Sequence, residues 1–445
     1  MGLATFKGGV HPYEGKELSE NKPVQVLMPK GDLVFPMSQG IGAPANPLVK
    51  KGDRVLAGQI IGEAGGFISA NVICSVSGTV KAVEPRRVAS GGMVNSVVVE
   101  NDGQYEAVEG MGTDRDPATL SKQEIRDIVK AAGIVGMGGA GFPTNVKLSP
   151  KNEDAIEYIL INGAECEPYL TSDYRCMMED PEKIIGGLKV VLQLFDKAKG
   201  VIGIENNKPE AIKKLKELVK DEPRIEVCEL LTKYPQGGER SLIYAITGRK
   251  VNSSMLPADA GCIVDNIATV IAIYDAVCKT TPLIERVFTV TGDAIADPRN
   301  FRIKIGTNTQ ELIEAAGGFK SEPEKVISGG PMMGFAMFDL DVPVIKTNGS
   351  VLCMTKDQVA ASVETPCIRC GKCVSACPSH IVPVMMMKAA LKGDCDTFEK
   401  LNGMECMECG SCTFVCPAKR PLTQAFKEMR KTVAANRRKK AQGGK

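Results

Sequence analysis

The chain has 445 residues, with 55 Lys and Arg against 53 Asp and Glu and a formal charge of +2, so it carries no global field of the kind that draws a protein onto nucleic acid. Its length allows about three or four domains, each with its own core. Sixteen cysteines in so long a chain point to a reducing compartment, the opening MGLATFKGGVHPYEGK lacks the basic start and apolar run of a secretory signal, and even CIVDNIATVIAIYDAVC is interrupted by Asp265 and Asp275 and falls short of a membrane span.

In chain order, roughly the first hundred residues read as short β segments, VQVLMP, RVLAGQIIGE, VICSVSGTVKAVE and VNSVVVEN, parted by Gly, Pro and Asp. The succession KGDRVLAGQIIGE then SVSGTVKAV resembles the small barrel-sandwich of biotinyl and lipoyl carriers. Those carriers present a modifiable lysine at a hairpin tip. Here the tip reads Val76, Ser77, Gly78 and Lys81 lies beyond it, which predicts a docking module without a swinging arm. After a polar linker at 113–119, Ser121 and Glu124 predict a capping box for a helix with the apolar stripe Ile125, Ile128, Val129 and Ala132. GIVGMGGAGFPTNVKL follows. Then AIEYILING, KIIGGLKVVLQLF, GVIGIEN, PEAIKKLKELVK and RIEVCELL alternate strand and helix as parallel βαβ units do. From Arg286, the segments RVFTVTGDA and RNFRIKIG, a helix from Thr309 to Ala316, and KVISGGPMM predict a β-grasp-like insert. From about Gln358 the cysteine runs sit among short helices, and the basic tail KEMRKTVAANRRKKAQGGK reads as a solvated, partly disordered end, the alternative being an electrostatic contact with acidic lipid or a partner subunit.

The runs CIRCGKCVSACP, Cys367 to Pro378, and CMECGSCTFVCP, Cys406 to Pro417, share the spacing C-x2-C-x2-C-x3-C-P. A loop so spaced wraps three thiolates round one 4Fe-4S cube and sends the fourth to the other cube. Cys367, Cys370, Cys373 and Cys416 are thus expected to hold one cluster, and Cys406, Cys409, Cys412 and Cys377 the second. Zinc, the rival for any C-x2-C pair, uses four ligands in two pairs rather than two proline-closed quartets. The remaining cysteines read as small buried hydrophobes, with Cys166 set apart by its place in the loop INGAECEP, where a tuning role is open to it, and Met385, Met386 and Met387 read as core filler. His11 reads as a loop residue, and His380, which follows the first cysteine run, as one that packs against or tunes that site.

Gly136, Gly138, Gly139 and Gly141 let the backbone approach a phosphate and donate N–H groups to it, although they follow a helix rather than ending a strand as in the Rossmann order. Lys147 can reach a phosphate or a carbonyl, and INGAECEP sets Asn162, Glu165 and Glu167 at a sheet end, where ligands collect. GMGGAGFPTNVK is similar to the FMN-binding loop of the flavoprotein subunit of respiratory complex I, and INGAECEPY to the acidic loop that follows it there. YPQGGERSL, with Glu239, resembles that family's nucleotide-contacting turn, and IVDNIATV, with Asp265 and Asn266, the segment that closes over the flavin. With the barrel-sandwich, the insert and the cysteine runs, the whole chain resembles the RnfC family, which belongs to the Rnf ion-translocating electron transport complex.

That resemblance implies a multidomain α/β protein. Its parts would be a barrel-sandwich over 1–118, a Rossmann-like α/β FMN/NAD domain over 119–284, a β-grasp, SLBB-like insert over 285–345, an α-helical ferredoxin-like domain with two 4Fe-4S clusters over 346–425, and a basic tail over 426–445. It also implies that Gly136, Gly138, Gly139, Ala140, Lys147, Asn162, Glu165 and Asn266 surround non-covalent FMN, and that Phe142, Glu167 and Glu239 contact NAD(H). Met137 replaces a basic residue of the complex I loop, Ala164 an acidic one, and Pro150 an aromatic that stacks on adenine. The implied activity is that of an NADH dehydrogenase-type subunit, passing electrons between NAD(H), FMN and the clusters with no catalytic acid or base, coupled to ferredoxin and to Na+ or H+ translocation. The implied partners are the other Rnf complex subunits (B, D, G, A, E), with no nucleic acid, and the implied place is the peripheral cytoplasmic face of the cell membrane.

Two other readings share some of these motifs. A soluble FMN and iron-sulfur cobalamin reductase of propanediol-using microcompartments begins near its flavin domain, unlike this chain. A scaffold subunit of a related quinone reductase would not need intact cysteine quartets. Iron analysis of purified protein should find about eight irons per chain, and far fewer would overturn the reading of the cysteine runs.

Overall fold

The computed structural model describes residues 2–443. The N-terminal segment runs across the surface to strand β1 (Gln25–Leu27), then β2 (Leu33–Pro36), β3 (Asn46–Pro47), β4 (Arg54–Val55), β5 (Ile60–Glu63), β6 (Val72–Ile73), β7 (Gly78–Arg87) and β8 (Met93–Asn101). Two small sheets, β2-β8-β7-β4 and β3-β5-β6, close on a core that includes Leu33, Phe35, Ile61, Val72, Val97 and Val99. The hairpin β7–β8 is antiparallel, with a register shift between Val80 and Ala82. Val76 and Ser77, where a carrier would expose its lysine, are fully buried, and the Ser75 hydroxyl donates to the Ile305 carbonyl at 2.6 Å. Lys81 is spent on a surface ion pair with Asp32.

Helix α1 (Lys122–Ala131) starts at the expected capping box, with the Ser121 hydroxyl accepting from the Glu124 N–H and the Glu124 carboxylate accepting from the Ser121 N–H. A glycine loop leads to the short helix α2 (Thr144–Lys147) and then β9 (Tyr158–Gly163), α3 (Ser172–Glu179), α4 (Pro181–Gln193), β10 (Lys199–Glu205), α5 (Pro209–Leu218), β11 (Ile225–Leu230), α6 (Glu239–Thr247), β12 (Cys262–Asn266) and α7 (Ile267–Cys278). The sheet order is β11-β10-β9-β12, all parallel. The middle of YILING, Ile159 to Ile161, is apolar and buried because both faces of the sheet are covered, and polar Asn162 comes only at the strand end. Residues from α1, α4, α5 and α7 fill one side, and Leu242 and Ile243 of α6 pack with Leu160, Val201 and Val264 on the other.

Strands β13 (Glu285–Thr291) and β14 (Arg299–Lys304), helix α8 (Thr309–Ala315), and strands β15 (Lys325–Ser328), β16 (Phe335–Met337) and β17 (Ser350–Met354) form the insert, in the order β1-β14-β13-β17-β15-β16. The sheet reaches beyond the expected span at both ends. VQVLMP supplies its edge strand β1, pairing parallel to β14, rather than a barrel strand. SVLCM lies between β13 and β15, past residue 345, because a strand flanked on both sides needs an apolar run and this one is almost wholly buried.

Helices α9 (Lys372–Ser375), α10 (Pro383–Leu391), α11 (Cys395–Lys400), α12 (Ser411–Phe414) and α13 (Leu422–Gly443) complete the chain around Met386, Met387, Phe398, Phe426 and Val433. The basic tail differs from expectation by continuing α13, which Phe426, Met429 and Val433 anchor in this core. Met385, expected as core filler with its neighbours, is instead 45% exposed on the outer face of α10.

The barrel, the parallel-sheet domain and the insert meet at Lys346. Its buried amine donates to the carbonyls of Asn71 and of Gly133, the latter at 2.7 Å, and burial lowers its pKa to about 7. A neutral amine still has N–H groups for both carbonyls. Because the unfolded chain keeps the ordinary value of 10.5, it binds more protons than the folded chain between these limits, so stability gains with rising pH there. Thermal unfolding of wild type and Lys346→Met, compared at about pH 6 and about pH 9, should show wild type gaining on the variant at the higher pH. An unchanged difference would show that the amine does not titrate in that window.

Candidate functional site

The carboxyl ends of β9 and β12 lie side by side, with Asn162 and Asn266 in register, and the connecting loops gather above them. Asn162 donates its amide N–H to the Gly237 carbonyl at 2.8 Å. Asn266 caps α7 by accepting from the Ala268 N–H, and donates to Asp173 at 2.6 Å. The two amides are thus held at adjacent strand ends, each fixed by its own hydrogen-bond partners.

The glycine loop is closed at its neck by the Gly136 N–H donating to the Phe142 carbonyl at 2.9 Å and the Thr144 N–H to Ile134 at 3.1 Å. Buried Met137 pins it to α7 through its N–H and the Thr269 hydroxyl. Its glycines do different jobs. A Cβ on Gly138 would stand 2.9 Å from the Asn266 Cβ, whereas one on Gly139 would meet nothing within 4 Å. Gly138, Gly139 and Ala140 are exposed, and Phe142 is half-buried at the neck. Gly141, at φ +70°, serves a different contact, since a Cβ there would stand 2.8 Å from the Gly40 Cα and 2.6 Å from the Thr347 Cγ2. The adjoining Ile41 N–H donates to the Ala140 carbonyl at 3.0 Å, so a barrel loop forms the outer brace of the glycine loop.

Lys147, from α2, donates to the Val264 carbonyl at 2.6 Å and pairs with fully buried Asp265 at 2.9 Å. The other Asp265 oxygen, Oδ2, is buried with no partner, an orphaned acceptor at the end of β12. Glu239 faces the same place from the start of α6. Solvent reaches it, yet protein surrounds it closely enough that desolvation raises its carboxyl pKa, with Lys147 opposing and Asp265 adding to the rise. An accessible group in close walls is what a cleft provides. A polar cleft with an open glycine tip, one lysine and paired amides has the donors and acceptors that a phosphate-bearing aromatic cofactor requires.

The acidic loop is placed differently. Glu165, at φ +48°, accepts from the N–H groups of Asp173 and Tyr174 and so caps α3, and burial raises its pKa to about 7. Glu167 accepts from the N–H groups of Met332 at 2.7 Å and Met333 at 3.1 Å, in the insert. Two buried lysines hold this loop from beneath. Lys16 donates to the carbonyls of Glu165, Glu167 and Leu170, and Lys208 to that of Ala164. Lys16 lies far away in sequence without any periodic pattern, and Lys208 precedes a helix like many surface lysines, so neither carries a sequence signal.

The cysteine runs repeat one backbone shape. Arg369 and Glu408, at φ +57° and +55°, turn their N–H groups onto the Sγ of Cys367 and Cys406, both at 3.4 Å. Gly371 and Gly410, in the left-handed region, start α9 and α12. Cys416 faces Cys373, while Cys377 faces Cys409 and Cys412 is neighboured by Cys406, Cys409 and Cys377. The chain therefore brings the fourth cysteine of each run to the other run. Burial raises the thiols of Cys406 to about 11 and Cys412 to about 12. Amide donors turned on sulfur suit thiolates. Among the described residues no three such side chains close tightly enough on a single ion, while a four-iron cube spreads its thiolates more widely. The quartets differ in exposure: Cys367 and Cys370 are exposed, whereas Cys377, Cys409 and Cys412 are buried.

The buried quartet docks on the parallel sheet. Arg240 pairs with Glu405 at 2.9 Å, Ser253 donates to the same carboxylate, and a Cβ on Gly238 would stand 2.9 Å from the Met407 Cε. Cys409 packs with Tyr234, Val10 and Ala376, and with half-buried Cys166, Met332 and Val415.

Family models match the chain in sequence: the RnfC barrel sandwich hybrid domain at 4–104, the Nuo51 FMN-binding domain at 129–275, the SLBB domain at 287–336 and a 4Fe-4S dicluster domain at 366–419. The C subunit of the proton-translocating ferredoxin:NAD(+) oxidoreductase complex of Clostridium ljungdahlii is 46% identical, over 99% of this chain and 96% of its own. Its Na(+)-translocating counterpart in Acetobacterium woodii is 46% identical over 98% of each. The C subunit of the ion-translocating oxidoreductase complex of Rhodobacter capsulatus is 40% identical over 95% of this chain and 82% of its own. Among solved structures, a chain of an NAD+-reducing nickel-iron hydrogenase in the H2-reduced state shares the fold with TM-score 0.51 at 18% identity, over 71% of this chain and 61% of that one.

Gly138→Val should push a branched side chain into Asn266 and weaken FMN binding about tenfold or more, leaving iron content unchanged. Unaltered flavin retention, measured by fluorescence of the released cofactor, would place the flavin elsewhere.

Proposed function

The chain belongs to the RnfC family of the Rnf ion-translocating ferredoxin:NAD(+) oxidoreductases, and from that premise we propose that it passes electrons between NAD(H), FMN and two 4Fe-4S clusters at the edge of its parallel sheet. Bound FMN supplies the exchange between the electron pair of a hydride and single electrons.

The residues' own work is holding, shielding and spacing. Gly138, Gly139 and Ala140 bring backbone N–H groups close to the cofactor while Gly136 closes the neck of their loop through Phe142, Lys147 adds positive charge, and Asn162 and Asn266 present fixed amides. Phe142, at the loop neck, and Glu239, across the cleft, flank the approach of the nicotinamide dinucleotide. Glu165 and Glu167, which the resemblance would set against FMN and NAD(H), have their carboxyl groups engaged by α3 and the insert instead, so neither is assigned a contact with cofactor or nucleotide. Cys377, Cys406, Cys409 and Cys412 hold the cluster nearer the flavin. Cys367, Cys370, Cys373 and Cys416 hold the outer one, open to a partner.

The observation that carries this reading is the apolar cluster in which Cys409 and Tyr234 pack together and Cys166 packs against them, which joins the buried quartet to the strand end beneath the cleft. Brace contacts from the barrel to the glycine loop favour it over a cobalamin reductase lacking that barrel. No helix among the described residues is long and apolar enough to cross a membrane, so attachment would come through the other Rnf complex subunits (B, D, G, A, E), on the cytoplasmic face. Purified protein should contain flavin and reduce ferricyanide with NADH, and should be recovered with Rnf subunits from native membranes. Protein that lacks flavin and is inert to NADH would end the dehydrogenase reading.

A further inference from the structure

The β-grasp insert sends one loop, Gly329 to Gly334, away from its sheet and into the junction between the acidic loop and the buried quartet. The Glu167 carboxylate receives two consecutive N–H groups of that loop, from Met332 and Met333. The fit leaves no slack, since a Cβ on Gly330 would stand 2.1 Å from the Glu167 Cγ. On the other side, a Cβ on Gly410 would stand 2.9 Å from the Met332 carbonyl oxygen, so the loop also touches the turn between Cys409 and Cys412. Met332 packs against the apolar cluster of Val10, Tyr234, Ala376 and Cys409, against which Cys166 and Val415 also pack. Tyr234 is 1% exposed and sets its hydroxyl near Glu167 without a well-formed hydrogen bond. The space between sheet end and cysteines is therefore closed by side chains from separate parts of the chain. Of these, Met332 is supplied by an element that binds neither cofactor.

We infer that Met332 is a bridging residue for electron transfer between the flavin cleft and the buried quartet, and that Glu167 is its positioning residue, clamping the Gly329 to Gly334 loop through two backbone N–H groups. This rests on the electron-transfer reading above. One electron leaves the reduced flavin and one enters the cluster, and no bond is made or broken. Tunnelling falls off steeply across a gap that atoms do not fill, so the contribution of Met332 is filled space, and its polarizable thioether suits an irregular one. Glu167 offers the two N–H groups a single buried carboxyl oxygen, an acceptor costly to remove once both donors depend on it.

The test compares Glu167→Ala, Glu167→Gln and Met332→Ala in the cofactor-loaded full chain. With NADH, flavin bleaching should keep its wild-type rate and KM in all three, while freeze-quench EPR should show cluster reduction slowed about tenfold in Met332→Ala and Glu167→Ala. Glu167→Gln keeps an acceptor oxygen and should recover most of the rate. Independently of turnover, hydrogen exchange at the Met332 and Met333 amides should speed up about tenfold in Glu167→Ala and remain near wild type in Glu167→Gln. A raised KM for NADH with cluster reduction in step with flavin bleaching would make Glu167 a nucleotide contact and overturn the inference. Wild-type cluster reduction in Met332→Ala would overturn it too, whether or not Glu167→Ala folds. Wild-type protein unable to bleach its flavin with NADH would instead mean failure of the underlying functional reading.

Discussion

The structure depends on one packing constraint. A cluster-binding loop must lie against the carboxyl edge of a parallel sheet closely enough for electrons to cross, with water kept out of the gap. Cys409, Tyr234, Cys166 and Met332 meet there, and the Arg240–Glu405 pair and the contact of Gly238 with Met407 hold the two bodies at that distance. Such a contact between elements distant in sequence cannot rest on local propensity, and the rest of the chain is arranged to stabilise it.

The N-terminal segment is the clearest case. Before entering any domain it threads past the site. The Gly9 N–H donates to the Ala376 carbonyl beside Cys377, Val10 joins the packing around Cys409, and Lys16 collects three carbonyls of the acidic loop. The barrel that follows braces the glycine loop from outside through Ile41 and Gly40. Its carrier-like hairpin tip is turned inward and buried, which leaves it a structural role. Lys346 fastens barrel, parallel-sheet domain and insert together without an opposing carboxylate, at the cost of a buried amine that gives up its charge readily.

Much of this was legible in the residues, for identifiable reasons. The cysteine runs repeat a spacing fixed by cluster geometry, from which the cross-over of Cys377 and Cys416 is expected, and the fold brings Cys416 near Cys373 and Cys377 near Cys412. The Ser121 capping box and the alternation from β9 to α7 are short-range patterns and lie where expected. What stayed hidden was long-range. VQVLMP has the composition of any edge strand, and nothing local says that it pairs with the distant β14. The carboxylates of Glu165 and Glu167 look alike in INGAECEP, yet a left-handed turn at Glu165 sends one to cap α3 and lets the other reach the insert. The basic tail reads as disordered by charge alone, and only the spacing of Phe426, Met429 and Val433 on one face keeps it helical.

On the proposed function the buried quartet, which packs at the sheet end through Cys409, takes electrons before the exposed one. The most direct measurement pairs Cys409→Ser with Cys370→Ser and follows NADH-driven cluster reduction by EPR. The account predicts that Cys370→Ser protein still reduces its buried cluster, whereas Cys409→Ser protein reduces flavin but leaves the exposed cluster oxidised. Rapid reduction of the exposed cluster in Cys409→Ser protein would contradict it.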